Sequence, residues 1–229
     1  MKDIRAILFD KDGTLFDFQA TWGGWAQTLL ADLSCGNAGL AEAMAEALEF
    51  DAEARRFRPG SPVIAGTGRE VAELLAPLTP SHDIASLESL IARAAVTAPL
   101  VPSVPLRPLL DRLRAAGLRL GVATNDFEAV ARKHVAPQID LFDFVAGFDS
   151  GFGGKPEPGM LLAFAAHVGV PPGAVLMVGD SRHDLIAGRA AGMATLGVLT
   201  GVASEADLAP LADAVRPDIG HLPDLLTMT

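Results

Sequence analysis

The chain contains one cysteine, Cys35, in 229 residues. That excludes an intrachain disulfide and any zinc site built from several cysteines. Bases are also scarce, with 18 Lys and Arg against 28 Asp and Glu and a net charge of -10. A nucleic-acid binder working by phosphate neutralisation needs a basic face, and so does a partner of an anionic membrane surface. Neither partner is expected. No apolar run approaches the ~18 residues of a membrane span, and the first ten residues lack the long apolar stretch and cleavage site of a signal peptide. The expectation is a soluble cytoplasmic protein, its oligomeric state left open between monomer and homodimer.

What is present is a large apolar fraction, 50% of residues, enough to bury a sizeable core. Short β-branched or apolar runs at 4–9, 118–123, 142–146, 175–178 and 195–199 predict buried parallel strands. Between them, helical patterns cover 108–116, 158–168 and 184–191. Gly117 and Gly192 stand where a helix C-terminus wants a glycine. Strands alternating with helices predict an α/β fold with a parallel, Rossmann-like sheet.

Residues 17–97 read differently. Phe18, Trp22, Trp25 and Leu29 repeat at helical spacing, as do Leu40, Met44 and Leu48. Thr67 and Glu70 match a capping box ahead of Val71, Leu74 and Leu75. No convincing strand is expected in this stretch, and Gly23-Gly24 weakens its first helix. The organisation predicted is a core of 1–16 and 98–229 with a helical insertion, 17–97, returning through Pro99, Pro102, Pro105 and Pro108.

Polar residues gather where the predicted strands end, the edge at which open α/β sheets bind ligands. The first strand ends Asp10-Lys-Asp12-Gly-Thr14. One carboxylate of such a pair suits attack on phosphorus and the other suits proton transfer; an Asp/Gly-rich turn is the plainer alternative. The next ends Thr124-Asn125, able to hold phosphoryl oxygens or to cap a following helix. Gly151 to Pro158 presents Lys155, a compact point charge or an ordinary surface lysine; it is not a P-loop, because Pro156 follows the lysine. The strand at 175–178 leads to Asp180 and Asp184, hard oxygen ligands suited to Mg²⁺, or in the case of Asp184 an acidic helix start.

In this order the motifs Asp10-Lys-Asp12-Gly13-Thr14, Thr124, Lys155 and Asp180 with Asp184 make the chain resemble the haloacid dehalogenase (HAD) superfamily. The resemblance covers nearly its whole length and is nearest to the phosphoglycolate phosphatase-like group. It implies a HAD fold with 17–97 as a helical C1 cap. It implies a phosphoric monoester hydrolase acting on a small-molecule phosphate ester, with 2-phosphoglycolate a candidate. Asp10 would be the nucleophile and Asp12 the acid and base. Thr124, the Asn125 N–H and Lys155 would hold the phosphoryl group. Mg²⁺ would be held by Asp10, the Asp12 main-chain carbonyl, Asp180 and Asp184. Asp12 favours phosphate over haloacid chemistry. Arg69 is a candidate for a substrate carboxylate or second phosphate. A phosphomutase of the β-phosphoglucomutase kind shares these motifs, and a non-catalytic binding protein is a further alternative.

Overall fold

The computed structural model describes residues 3–226. In chain order the elements run β1 (Ala6–Phe9), α1 (Phe18–Ser34), α2 (Ala38–Ala47), β2 (Phe50–Asp51), β3 (Arg56–Phe57), α3 (Gly68–Leu75), α4 (Ile84–Val96) and α5 (Leu106–Ala115). They continue β4 (Arg119–Ala123), α6 (Glu128–His134), β5 (Phe144–Ala146), α7 (Gly159–Val168), β6 (Val175–Gly179), α8 (Arg182–Ala190), β7 (Ala194–Val198), α9 (Glu205–Leu208), β8 (Ala214–Arg216) and α10 (Leu222–Leu225).

Six strands form one parallel sheet in the order β5-β4-β1-β6-β7-β8. This is the α/β, Rossmann-like core expected. The middle strands are buried along their whole length, as a sheet covered on both faces requires. One face packs through Ile7, Phe9, Leu110 and Leu113. The other packs through Leu8, Phe164 and Met177. In register, Phe9 pairs with Val122 on one side and Val178 on the other. The residues just beyond these pairs therefore share one sheet edge. The strand β8 has no counterpart in the sequence reading: its three residues are half-buried, so they carry little apolar signal.

The helices α1 to α4 flank this core as a cap with an apolar cluster of their own, including Trp22, Trp25, Met44, Leu75 and Ile91. Two expectations about this stretch need correction. It does contain strands: β2 and β3 form a two-stranded antiparallel pair. Two residues per strand give no period to read, and the pair is held by Phe50 against Phe57 at 4.9 Å and by Gln19 bonding both the N–H and the C=O of Phe57. And α1 runs unbroken through Gly23-Gly24. A Cβ on Gly23 would collide with the Arg55 carbonyl, so glycine is what lets this loop press against the helix. The capping box at Thr67 and Glu70 is formed as read, opening α3. Among the described residues no helix is long and apolar enough to cross a membrane.

Candidate active site

The site is built at the C-terminal edge of β1, β4 and β6. Asp10 follows β1, Thr124 follows β4 and Asp180 follows β6, each immediately after the last strand residue. Gly13 turns the chain back with φ 83°, and a Cβ there would collide with the Asp180 carboxylate. Glycine is thus needed both for the conformation and for the approach of the two motifs. Thr14 Oγ1 donates to Asp180 Oδ1 at 3.3 Å, and Thr200 Oγ1 ties the loop down by donating to the Gly13 carbonyl at 2.6 Å.

Lys155 reaches this edge from the loop before α7. Its Nζ donates to Asp10 Oδ1 at 2.5 Å, to Asp184 Oδ1 at 2.6 Å and to the Ala123 carbonyl at 2.8 Å. It is buried, so the surface alternative does not describe it. Asn125 fixes its backbone: Oδ1 accepts from the Lys155 N–H, and Nδ2 donates to the Lys155 carbonyl and to Ala65 of the cap. Neither Thr124 nor Asn125 caps α6, whose first N–H groups are met by Asp126 and Asp149. Thr124 is buried, its Oγ1 accepting from the Asp126 N–H. Asp184 does serve the start of α8, its Oδ2 accepting from the Ser181 N–H and Oγ, while its other oxygen meets Lys155.

Asp10, Asp180 and Asp184 each offer one carboxylate oxygen, all within 4.8 Å of one another. Three buried acids share one lysine, so negative charge is in excess. Burial raises the Asp10 carboxyl to about 7, opposed by Lys155 and helped by Asp184 and Asp12. Burial likewise drives Asp180 well above its ordinary value, with Asp10 and Asp184 adding to it. Burial works against the Lys155 ammonium, yet Asp10 and Asp184 outweigh it and hold it above its ordinary value. Asp180 Oδ2 is buried with no hydrogen-bond partner. An orphaned hard oxygen beside two further carboxylates is the donor set a divalent cation takes.

A second buried lysine was not anticipated. Lys11 is fully buried. Its Nζ lies 2.8 and 2.7 Å from the two Asp12 carboxylate oxygens, 3.1 Å from Asp126 Oδ2 and 3.1 Å from His134 Nδ1, and 5.2 Å from the centre of the Trp22 ring. His134 Nε2 lies 2.9 Å from the Ala95 carbonyl in α4. A neutral imidazole carrying its proton on Nε2 satisfies both contacts, and burial together with Lys11 lowers the His134 pKa in keeping with that form. Asp12 is in this way gripped from behind. Nothing local in the sequence joins Lys11 to Asp126 and His134, which lie more than 100 positions away from it; the pairing of β1 with β4 brings them together.

Arg69 is not brought to the site. It is exposed on α3, 3.0 Å from Glu73 and 3.7 Å from Glu88. The i,i+4 spacing to Glu73 turns its guanidinium along the outer face of the helix. The carboxylate cluster and Lys155 border a cavity of about 70 Å³ whose other wall is the cap.

A parallel, Rossmann-like sheet bearing acidic loops and a buried lysine at one edge, beneath a helical cap, is the arrangement of a capped hydrolase with an α/β core. The haloacid dehalogenase-like hydrolase pattern matches residues 4–192, and the chain belongs to that family. Among curated relatives it is 38% identical over 121 residues to a phosphoglycolate phosphatase of Neisseria meningitidis, covering 51% of each chain. It is 34% identical over 116 residues to the phosphoglycolate phosphatase of Escherichia coli K12, covering 48% of this chain and 43% of that one. The matches thus span about half the length of these relatives. Solved structures share the fold at lower identity. CbbY from Rhodobacter sphaeroides, in complex with phosphate, superposes with a TM-score of 0.69 at 21% identity over 96% of both chains. A HAD phosphatase from Thermococcus onnurineus does so with a TM-score of 0.68 at 22% identity over 97% of both.

Proposed function

We propose that the protein is a Mg²⁺-dependent phosphatase of small-molecule phosphate monoesters working through an aspartyl-phosphate, with 17–97 as the cap over a core of 1–16 and 98–229. The observation that carries this reading is Lys155 bridging Asp10 and Asp184 beside the orphaned Asp180 oxygen.

Asp10 is the nucleophile. One of its oxygens bonds to phosphorus while the bond from phosphorus to the ester oxygen breaks. The departing oxygen takes its proton from Asp12, whose carboxyl group borders the same cavity. Water then bonds to phosphorus, gives a proton to Asp12 and releases phosphate, which restores Asp10. Asp12 is held for both transfers by Lys11. Lys155 places positive charge where the phosphoryl group must approach an anionic nucleophile, and Asn125 fixes that lysine while its N–H and Thr124 hold phosphoryl oxygens. Asp10, Asp180, Asp184 and the Asp12 carbonyl would hold Mg²⁺, which when bound offsets the charge of the phosphate dianion and of the buried acids. The cap excludes water from Asp10.

A panel of phosphate esters, read as released inorganic phosphate, tests the proposal. Turnover should require Mg²⁺ and stop with EDTA. Full activity in metal-free buffer would remove the metal assignment. An isomerised sugar phosphate in place of free phosphate would make the protein a mutase.

A further inference from the structure

We infer that Trp22 and Trp25 determine specificity: their indole N–H groups receive a carbonyl or carboxylate oxygen carried by the leaving group. The inference rests on the phosphatase reading and names the substrate class for that same site.

Both side chains come from α1, where i,i+3 spacing puts them on one face, and both border the cavity. They are 7% and 5% exposed. Neither Nε1 has a hydrogen-bond acceptor among the described residues, and both atoms are closed off from solvent. Buried donors are nearly always paired, and one left unpaired bears its full desolvation cost. Protein and bulk solvent supply no acceptor here, so the acceptor has to come from what occupies the cavity. The two rings meet edge to face at 5.1 Å with their planes at 89°. Such a contact turns at most one N–H onto a ring face, a weaker partner than oxygen, and leaves the other donor with nothing.

The indoles stand on the side of the departing group. Lys11 Nζ lies 5.2 Å from the centre of the Trp22 ring and holds Asp12, the acid for the ester oxygen. The Trp22 ring is thereby fixed between Lys11 and Trp25.

The rest of the cap wall names the acceptor. Phe18, Val71 and Ile91 beside the indoles carry no polar side-chain atom. Thr67 also borders the cavity, but its Oγ1 is engaged with Glu70 at the start of α3. A hydroxyl set against this wall would find donors and no side-chain acceptor for its own proton. A carbonyl or carboxylate oxygen only accepts, and so matches it. Volume limits the reach: about 70 Å³ is several times the ~10–15 Å³ that one water needs, enough for a leaving group of a few heavy atoms. A site built around a substrate oxygen rejects the analogue lacking it by as much as ~10⁴-fold, because its buried donors are then left unpaired.

The test compares three esters of nearly equal shape: acetonyl phosphate with a ketone, 2-phosphoglycolate with a carboxylate, and isobutyl phosphate with neither. Phosphate release is followed with the full chain and saturating Mg²⁺, with p-nitrophenyl phosphate alongside. The kcat/KM for acetonyl phosphate, 2-phosphoglycolate or both should exceed that for isobutyl phosphate by at least ~10-fold, and Trp22→Phe and Trp25→Phe together should shrink that ratio at least ~5-fold. The ratio is read within each protein, so a general loss of activity does not move it. A second measurement leaves both indoles in place and needs no turnover. The chain has two tryptophans, so the proton–nitrogen correlation spectrum of Asp10→Asn shows two indole N–H resonances. Saturation with acetonyl phosphate or 2-phosphoglycolate should move at least one of them downfield of its position with isobutyl phosphate. Isobutyl phosphate turned over as well as the other two, a preference that survives both substitutions, or indole resonances that do not tell the esters apart would overturn the inference. The phosphatase reading stands without it if phosphate is still released from any of the esters, p-nitrophenyl phosphate included. Release from none of them removes both.

Discussion

Two buried lysines serve the Asp10–Asp12 pair, and the surroundings of the two differ. Lys155 sits among Asp10, Asp184 and the nearby Asp180, three carboxylates to one ammonium, with one carboxylate oxygen left orphaned. Lys11 sits between Asp12 and Asp126, two carboxylates to one ammonium, with a histidine nitrogen and an indole face completing its shell; Asp126 Oδ2, also buried without a hydrogen bond, here has the ammonium 3.1 Å away. The metal-capable grouping of acids takes in the first cluster and no member of the second. The surplus negative charge of the first marks a place where further positive charge belongs. The second cluster holds a carboxylate in position.

The largest effect should come from Asp10 itself. Asp10→Asn is expected to lower phosphate release by ~10⁴-fold or more while the protein stays folded, and near wild-type rates would end its assignment as nucleophile. The lysines then separate the two clusters. Lys155→Met should cost ~10²–10³-fold in kcat, as loss of a group facing transition-state charge does. Lys11→Met should act first on stability, by ~3–5 kcal/mol, because it leaves two buried carboxylates facing each other without a counter-charge. Thermal melts with and without Mg²⁺ sharpen the contrast. The cation should recover part of the stability lost in Lys155→Met and none of that lost in Lys11→Met. Equal recovery in both variants would break the distinction between the clusters.

The same contrast explains what could be read from the sequence. Lys155 was legible because its loop is punctuated by Gly151, Gly153, Gly154, Pro156 and Pro158 and because its motif has a fixed place among the strand ends. The five core strands in register with it were legible from their apolar runs. Lys11 is visible in the sequence only as the residue between two aspartates. Its side-chain partners come from α6 and the turn before it, and nothing local in Asp126 or His134 points across to β1. The β2–β3 pair and β8 were missed for a related reason: two or three residues, exposed on one side in β2 and β3 and half-buried throughout in β8, hold no period.

Titration offers a smaller effect that tests the charge surplus directly. The ordinary carboxyl value for Asp10 is 3.8, and in the folded, metal-free site burial lifts it to about 7. Between those values the folded state binds a proton that the unfolded state has released. Asp10 therefore lowers stability as pH rises through that window and contributes a constant penalty above it. Asp180, raised in the same direction, adds the same sign. In EDTA, Asp10→Asn should raise Tm at pH 8 by a few degrees over wild type and leave it nearly unchanged at pH 4. An Asp10→Asn protein that gains nothing at pH 8 would show that Lys155 already balances the cluster. That would remove the contrast with Lys11.

The smallest effect expected is that of Arg69→Ala, and its smallness is informative. The sequence offered Arg69 as the cap's cation for a substrate anion, which would make its removal raise KM. In the structure its side chain is 55% exposed and its guanidinium is paired with Glu73 of α3 and Glu88 of α4. Exposed pairs of this kind contribute about 0–1 kcal/mol. Removing Arg69 should shift Tm by no more than a degree or two and leave KM within two-fold for esters with and without a carboxylate. The measurement reaches back to the comparison of the two lysines. If positive charge near the reacting group comes only from Lys155 and a bound cation, the cap contributes none. A KM that rises for 2-phosphoglycolate alone in Arg69→Ala would place a third cation at the site, turned inward when substrate binds, and the charge accounting that separates the two clusters would have to include it.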